Sequence, residues 1–181
     1  MRMTNLRRLT SLQSGFSMIE LLVAVLVMGV GILGITGMQV ISLQNNRGAL
    51  LRSEAVILAY DMLDRIRANP AGTPAGLAYG GVDLDDAPPN ATNCNTNNCT
   101  VGQMVTFDQA VWKCSLGNFQ DDGTCAGFYA ANILPPPELQ PGLPEGDGSI
   151  AVNGATGIIT VTVTWQDPNL GQRTIAIESQ G

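Results

Sequence analysis

The chain has 181 residues, enough for one modest domain, and carries nine Lys or Arg against fifteen Asp or Glu, for a net charge of −6. An acidic chain without a basic stripe repels phosphate backbones, so no nucleic acid partner is expected. Histidine is absent from the sequence, which removes Ser-His and Cys-His catalysis and most zinc sites. Asp83, Asp85 and Asp86 cluster, as do Asp121 and Asp122, but neither group has the EF-hand spacing, and both read as solvated acidic loops. The expectation is a protein that is not an enzyme, with no catalytic residue, no metal and no cofactor.

Chemistry concentrates at the amino terminus. Residues 1–15 carry Arg2, Arg7 and Arg8 and no acid, and no residue from Leu21 to Asn46 is charged. A membrane span needs about 20 apolar residues, so this run is long enough to cross. Basic residues stay on the cytoplasmic side, which places the leader there and the rest of the chain outside. An ordinary secretory signal is cut after its apolar segment at a small-x-small site. Here no convincing Ala-x-Ala follows the run, whereas Gly15 before Phe16 allows a cut on the basic side. Removing the three leader arginines takes the net charge from −6 to −9. Glu20 is the one acid set into the start of the apolar run, and such groups usually mark function. The plain alternative is an interfacial acid at the end of an anchor. Gly29, Gly31, Gly34 and Gly37 lie in the same run. Each weakens a helix by roughly 0.5–1 kcal/mol relative to Ala, although membrane helices use glycine for close packing.

A first helix is predicted from Phe16 to about Asn69. Its second half is amphipathic: Leu51, Ala55, Leu58, Met62 and Ile66 form one stripe that should pack on a sheet. Asp61 and Arg65 have the favourable i,i+4 order, and Pro70 ends the helix. Residues 71–100, rich in Gly, Pro, Asn and Asp, read as loop with room for one short strand. Thr106 and Gln109 have capping-box spacing, which predicts a short helix over about Phe107 to Leu116. Pro135 to Pro137 and Pro141 to Pro144 make a rigid connector. Four cysteines lie in the part placed outside the membrane, and an even count there reads as disulfides. Three connectivities are possible; the local pairs Cys94–Cys99 and Cys114–Cys125 are preferred over free thiols or a metal site. The clearest strands come last. Ser149 to Val152, the alternating Ile159 to Trp165 and Gln172 to Glu178 predict a three-strand antiparallel meander, which with the helix stripe makes an α+β domain.

Gly15-Phe16-Ser17-Met18-Ile19-Glu20, with its basic leader and uncharged helix, resembles the type IV prepilin signature. Leu58 to Pro70 and Gly31 to Gln39 resemble the corresponding segments of PilV-type minor pilins, also called type IV pilus modification proteins; Asp108 to Lys113 and Leu143 to Trp165 match more loosely. The resemblance implies a pilin-like fold, a long amino-terminal helix on a small carboxy-terminal antiparallel sheet. It divides the chain into a cleaved leader (1–15), a membrane or filament-core helix (16–46) and a periplasmic or extracellular domain (47–181). It further implies cleavage between Gly15 and Phe16 by a prepilin peptidase that also methylates Phe16, and a docking role for Glu20 with the terminal ammonium of a neighbouring subunit. Gly29, Gly31, Gly34 and Gly37 would then be a segment that melts as the subunit leaves the bilayer. The implied partners are that peptidase and methyltransferase, other minor pilins, the major pilin, the assembly platform and the inner membrane, with the chain single-pass and amino terminus cytoplasmic before it joins a pilus. A pseudopilin of a type II secretion system and a tip-displayed adhesin or receptor are the alternatives.

Overall fold

A computed structural model of the protein describes residues 15–69 and 77–180. The leader up to Ser14, the Pro70 stop and the loop residues 71–76 lie outside the described residues. Helix α1 (Met18–Ala68) is followed by a 3-10 turn (Leu77–Tyr79), α2 (Val101–Leu116), α3 (Gly123–Ala130) and strands β1 (Asp147–Val152), β2 (Ile158–Asp167) and β3 (Gly171–Gln180). Two compact units divide between Leu43 and Gln44. The architecture is α+β, with one long amino-terminal helix and one small sheet.

The first unit is apolar on every side. All side chains from Gly15 to Arg47 are exposed, among them Phe16, Met18, Leu22, Leu33 and Met38. A helix of that character needs an apolar medium or other helices around it.

Within the second unit the expected stripe is buried, and it is broader than its spacing suggests. Ala59 and Leu63 join Leu51, Ala55, Leu58, Met62 and Ile66. The reason is that this part of α1 has two neighbours. Ile159, Val161, Val163 and Trp165 of β2 share its core, and so do Trp112 and Leu116 of α2. Trp112 also donates its indole N–H to the Leu58 carbonyl at 2.9 Å, so α2 lies directly beside α1.

The sheet is an antiparallel meander in the order β1-β2-β3. Ile150 pairs with Val161, and Val161 in turn with Ile177. Alternation sends Thr160 and Thr162 to the other, half-buried face, while Thr164 is buried and donates its hydroxyl to the Asp147 carbonyl. Among the described residues strand β3 has no neighbour on its outer side, and it is half-buried at best. In the loop expected to hold a short strand, Val82 forms a single bridge to Ile150.

Two expectations are corrected. Helix α2 starts at Val101, six residues before the predicted Phe107. The Thr-x-x-Gln spacing occurs twice, and the first copy caps the helix: the Thr100 hydroxyl accepts the Gln103 N–H, and the Gln103 amide oxygen accepts the Thr100 N–H at 2.9 Å. Starting earlier satisfies more backbone groups and frees the second pair for other bonds. Thr106 donates to the Gly102 carbonyl and Gln109 to the Tyr79 carbonyl. Asp122 was read as part of a solvated acidic loop; instead it caps α3, accepting the Thr124 N–H at 2.7 Å. Helix α3 exists because it has a small core of its own. Cys125 and Phe128 pack with Phe107, Ala110, Val111 and Cys114 of α2, and the two phenylalanine rings meet edge to face at 5.7 Å.

The Pro-rich connector is packed rather than merely stiff. Leu143 is buried and its N–H donates to the Leu116 carbonyl, closing the end of α2, while the Gln166 N–H donates to the Pro144 carbonyl. Asn69, Tyr79, Asp108 and Arg65 form a chain of polar contacts across the end of α1. The Asn69 amide donates to the Tyr79 hydroxyl, which donates to Asp108 at 2.7 Å; Arg65 reaches both Asp61 and Asp108. Burial, with the hydrogen bond to Asp108, pushes the Tyr79 phenol above its ordinary range.

Lys113 is fully buried. Its ammonium meets Asp147 at 2.6 Å and the Asp83 carbonyl at 2.9 Å. Asp147 also accepts the N–H groups of Gly148 and Asp85. Breaking a buried pair by removing one partner leaves the other charge uncompensated, at about 3–5 kcal/mol. Lys113→Met should therefore lower the unfolding free energy by about that amount. Lys113→Met with Asp147→Asn should recover part of the loss, measured by thermal melts of the purified chain in detergent.

The Cys114–Cys125 disulfide ties α3 to α2, and Cys94–Cys99 closes the loop leading into the Thr100 cap. Closing a loop of that size stabilises by roughly 3 kcal/mol in the chain-entropy treatment. Peptide mapping without reduction should recover Cys94 with Cys99 and Cys114 with Cys125, whereas recovery of Cys94 with Cys125 would contradict this arrangement. Reduction should lower the melting temperature.

Candidate functional site

The amino-terminal segment is built by one helix start. Gly15, Phe16 and Ser17 lie outside regular structure, and α1 begins at Met18, two residues later than expected. The Ser17 carbonyl accepts the first two helical bonds, from the N–H groups of Glu20 and Leu21 at 3.0 and 3.2 Å. The Gly15–Phe16 bond therefore lies ahead of the helix, outside regular structure. A peptidase must draw its substrate into such a conformation, and a cut here needs no unwinding of α1. Gly15 has nothing within 4 Å of the place a Cβ would occupy.

Glu20 stands in the first turn of α1, where the unpaired N–H groups of the helix end favour a carboxylate. Its neighbours Phe16, Ile19 and Leu21 are exposed and apolar. Among the described residues, no hydrogen bond or ion pair reaches its side chain. Glu20 is thus an acid on an apolar surface, with no counter-charge among the described residues.

Gly29, Gly31, Gly34 and Gly37 all lie within α1, and a Cβ at any of them would meet nothing within 4 Å. The chain itself does not need glycine at these places, and alanine would strengthen the helix by about 0.5–1 kcal/mol at each. What remains is approach by another helix or a helix meant to be soft. Thr36, between Gly34 and Gly37, turns its hydroxyl back onto the Ile32 carbonyl at 2.9 Å. Such back-bonding competes with the helical ladder and bends helices. The four glycines and the back-bonded Thr36 thus fall in one stretch of α1.

No group of three or more metal-ligating acids or cysteines occurs among the described residues. Asp83 and Asp86 bond to each other through a backbone N–H, and Asp85 is tied to Asp147. The sequence reading missed Lys113 and Asp147. Only a Lys at an otherwise apolar helix position hinted at the pair, and the partner lies 34 residues away. It also missed two arginines, Arg52 and Arg173, which line a cleft of the second unit together.

Residues 10–36 match the family profile described as the prokaryotic N-terminal methylation motif, and residues 37–110 match the Tt1218-like profile, described as Type IV pilin Tt1218. The first match holds Gly15, Phe16, Glu20, Gly29, Gly31 and Gly34. The second takes in Gly37, the buried stripe, Cys94, Cys99 and most of α2. No curated protein and no solved structure matches the chain. An exposed apolar helix that opens on a methylation motif, and that continues as the core helix of a small α+β domain, is what the two matches describe: over residues 10–110 the chain is similar to Tt1218-like type IV pilins and carries the N-terminal methylation motif.

Proposed function

We propose that this pilin is a minor subunit of the PilV type, which joins other minor pilins in a complex that primes a type IV pilus or caps its tip. The uncharged part of α1 holds the precursor in the inner membrane as a single pass, with the Arg-rich leader cytoplasmic. A prepilin peptidase cuts between Gly15 and Phe16 and methylates the new amino terminus. The subunit then passes through the assembly platform into contact with minor and major pilins. Gly29, Gly31, Gly34 and Gly37 let α1 stretch and pack closely as it exchanges lipid for neighbouring helices. The domain outside the membrane includes everything from residue 47 onward.

One observation carries this reading: the Glu20 carboxylate, at the start of an exposed apolar helix, has no partner among the described residues. Inside a bundle of such helices an unpaired carboxylate is costly. The ammonium that cleavage creates at Phe16 of a neighbouring subunit is a cation of the right sign at the same level of the bundle.

The leader should stay attached in Gly15→Leu, because the peptidase requires a small residue beside the cut. Mass spectrometry of the wild-type membrane protein should find methyl-Phe16 as the first residue; an intact Met1, or cleavage beyond Asn46, would overturn the processing assignment.

Glu20→Ala should be processed and inserted normally, since it removes a polar group from an apolar helix. Its recovery with other minor pilins should fall below detection, as losing one partner of a buried pair costs about 3–5 kcal/mol. Normal piliation and normal pull-down in this variant would return Glu20 to the role of an interfacial acid. Loss of enzyme secretion with pili intact, in a strain lacking the chain, would instead assign it to a secretion system as a pseudopilin.

A further inference from the structure

The distribution of cations in the second unit is uneven. Lys113 is buried against Asp147, Arg65 is paired with Asp61 and Asp108, and Arg67 with Asp64. Beyond the leader this leaves Arg47, Arg52 and Arg173, none of which makes an ion pair among the described residues. All three are exposed. Arg52 on α1 and Arg173 on β3 line one cleft of about 670 Å³, wholly within the second unit, between the Gln44–Arg52 stretch of α1 and the β2–β3 turn. Arg47 lies in the same stretch of helix, next to the lining residue Gly48.

The cleft has a defined build. Gly48 permits the helix to approach the turn: a Cβ there would come within 3.0 Å of Asp167 Oδ2. Asp167 is the one acid of the lining. It is buried, and its Oδ1 accepts the N–H groups of Asn169 and Leu170, so part of its charge is spent on its own turn. Trp165 forms part of the wall, and its indole N–H has no acceptor among the described residues. Leu170 stands at the lip, 62% exposed. Two guanidinium groups beside apolar wall is a lining suited to carboxylates carried on a partly apolar segment, because Arg binds carboxylate through two parallel hydrogen bonds.

We propose that this cleft docks an acidic loop of a neighbouring pilin subunit, with the loop carboxylates paired to Arg52 and Arg173. The proposal rests on the reading of the chain as a subunit of a pilin assembly. Charge complementarity carries the choice of occupant. Without its leader the chain has six Lys or Arg against fifteen acids, and two of the three arginines that make no ion pair among the described residues line this cleft. Its acids are displayed elsewhere, as in the exposed loop Asp83-Leu84-Asp85-Asp86. A subunit with a cation cleft at one place and acidic loops at another makes head-to-tail contacts, which propagate along a filament rather than closing into a dimer.

A photo-reactive phenylalanine analogue at Leu170, in the full chain expressed in cells that assemble pili, tests this. Ultraviolet light should yield an adduct with another pilin, mapped by mass spectrometry to a loop that carries at least two acids. The adduct should fall roughly tenfold in Arg52→Glu with Arg173→Glu, because each reversal turns an attraction into a repulsion. It should persist in Arg52→Lys with Arg173→Lys. Should the reversal variant fail to fold, Arg52→Gln with Arg173→Gln carries the same comparison. An adduct with phospholipid, an adduct indifferent to the charge changes, or no adduct from a chain that is methylated on Phe16 and co-purifies with minor pilins would overturn the docking assignment alone. A chain that is neither methylated nor recovered with minor pilins would overturn the assembly reading together with it.

Discussion

The ammonium of Lys113 is sealed from water, and three separate stretches of chain exist in their observed places to satisfy it. Its own helix brings it inward beside Trp112. Strand β1 begins at Asp147, whose carboxylate meets it, and the loop at Asp83 contributes a carbonyl. Asp147 is committed in turn to the N–H groups of Gly148 and Asp85. A buried charge with so many fixed partners tolerates few alternative packings. It sets the depth of α2, the first residue of the sheet and the path of the acidic loop at once. Gly148 shows how tight the fit is: a Cβ there would lie 2.5 Å from the Trp112 ring. Such a pair contributes less to net stability than to specifying one arrangement, since desolvation offsets most of its attraction.

Much of this was legible in the sequence where period and composition act alone. The stripe from Leu51 to Ile66 and the alternation from Ile159 to Trp165 follow directly from geometry, and the sheet formed as an antiparallel meander. What the sequence did not reveal depends on distant partners. Two Thr-x-x-Gln boxes six residues apart are equivalent on paper; the surrounding contacts of Gln109 and Thr106 decide between them. Gly123 to Ala130 has little helical propensity, with two glycines in eight residues. It becomes helical because Asp122 caps it, Cys125 anchors it and Phe128 packs on Phe107. The segment from Gly15 to Glu20 was legible for a different reason. Its signal is a rule broken locally, an acid in an apolar run, and such breaks survive without any knowledge of the fold.

The first unit poses the opposite problem from the second. Among the described residues its apolar side chains are exposed, and none comes within 4 Å of a Cβ at its glycines. A helix exposed on every face needs an apolar medium or other helices around it. Four glycines, each costing about 0.5–1 kcal/mol relative to alanine, and the back-bonded Thr36 weaken its own propensity.

The chain has two tryptophans, Trp112 and Trp165, and both are buried in the second unit. The first unit carries one phenylalanine among its described residues and no tyrosine or tryptophan. Indole emission therefore comes wholly from the domain built on the stripe, and the apolar helix is optically silent. One indole N–H is held by the Leu58 carbonyl and the other has no acceptor among the described residues, so the two indoles stand in different polar surroundings. A bilayer, a detergent micelle or a filament can be exchanged around α1 while the same two chromophores watch only the domain.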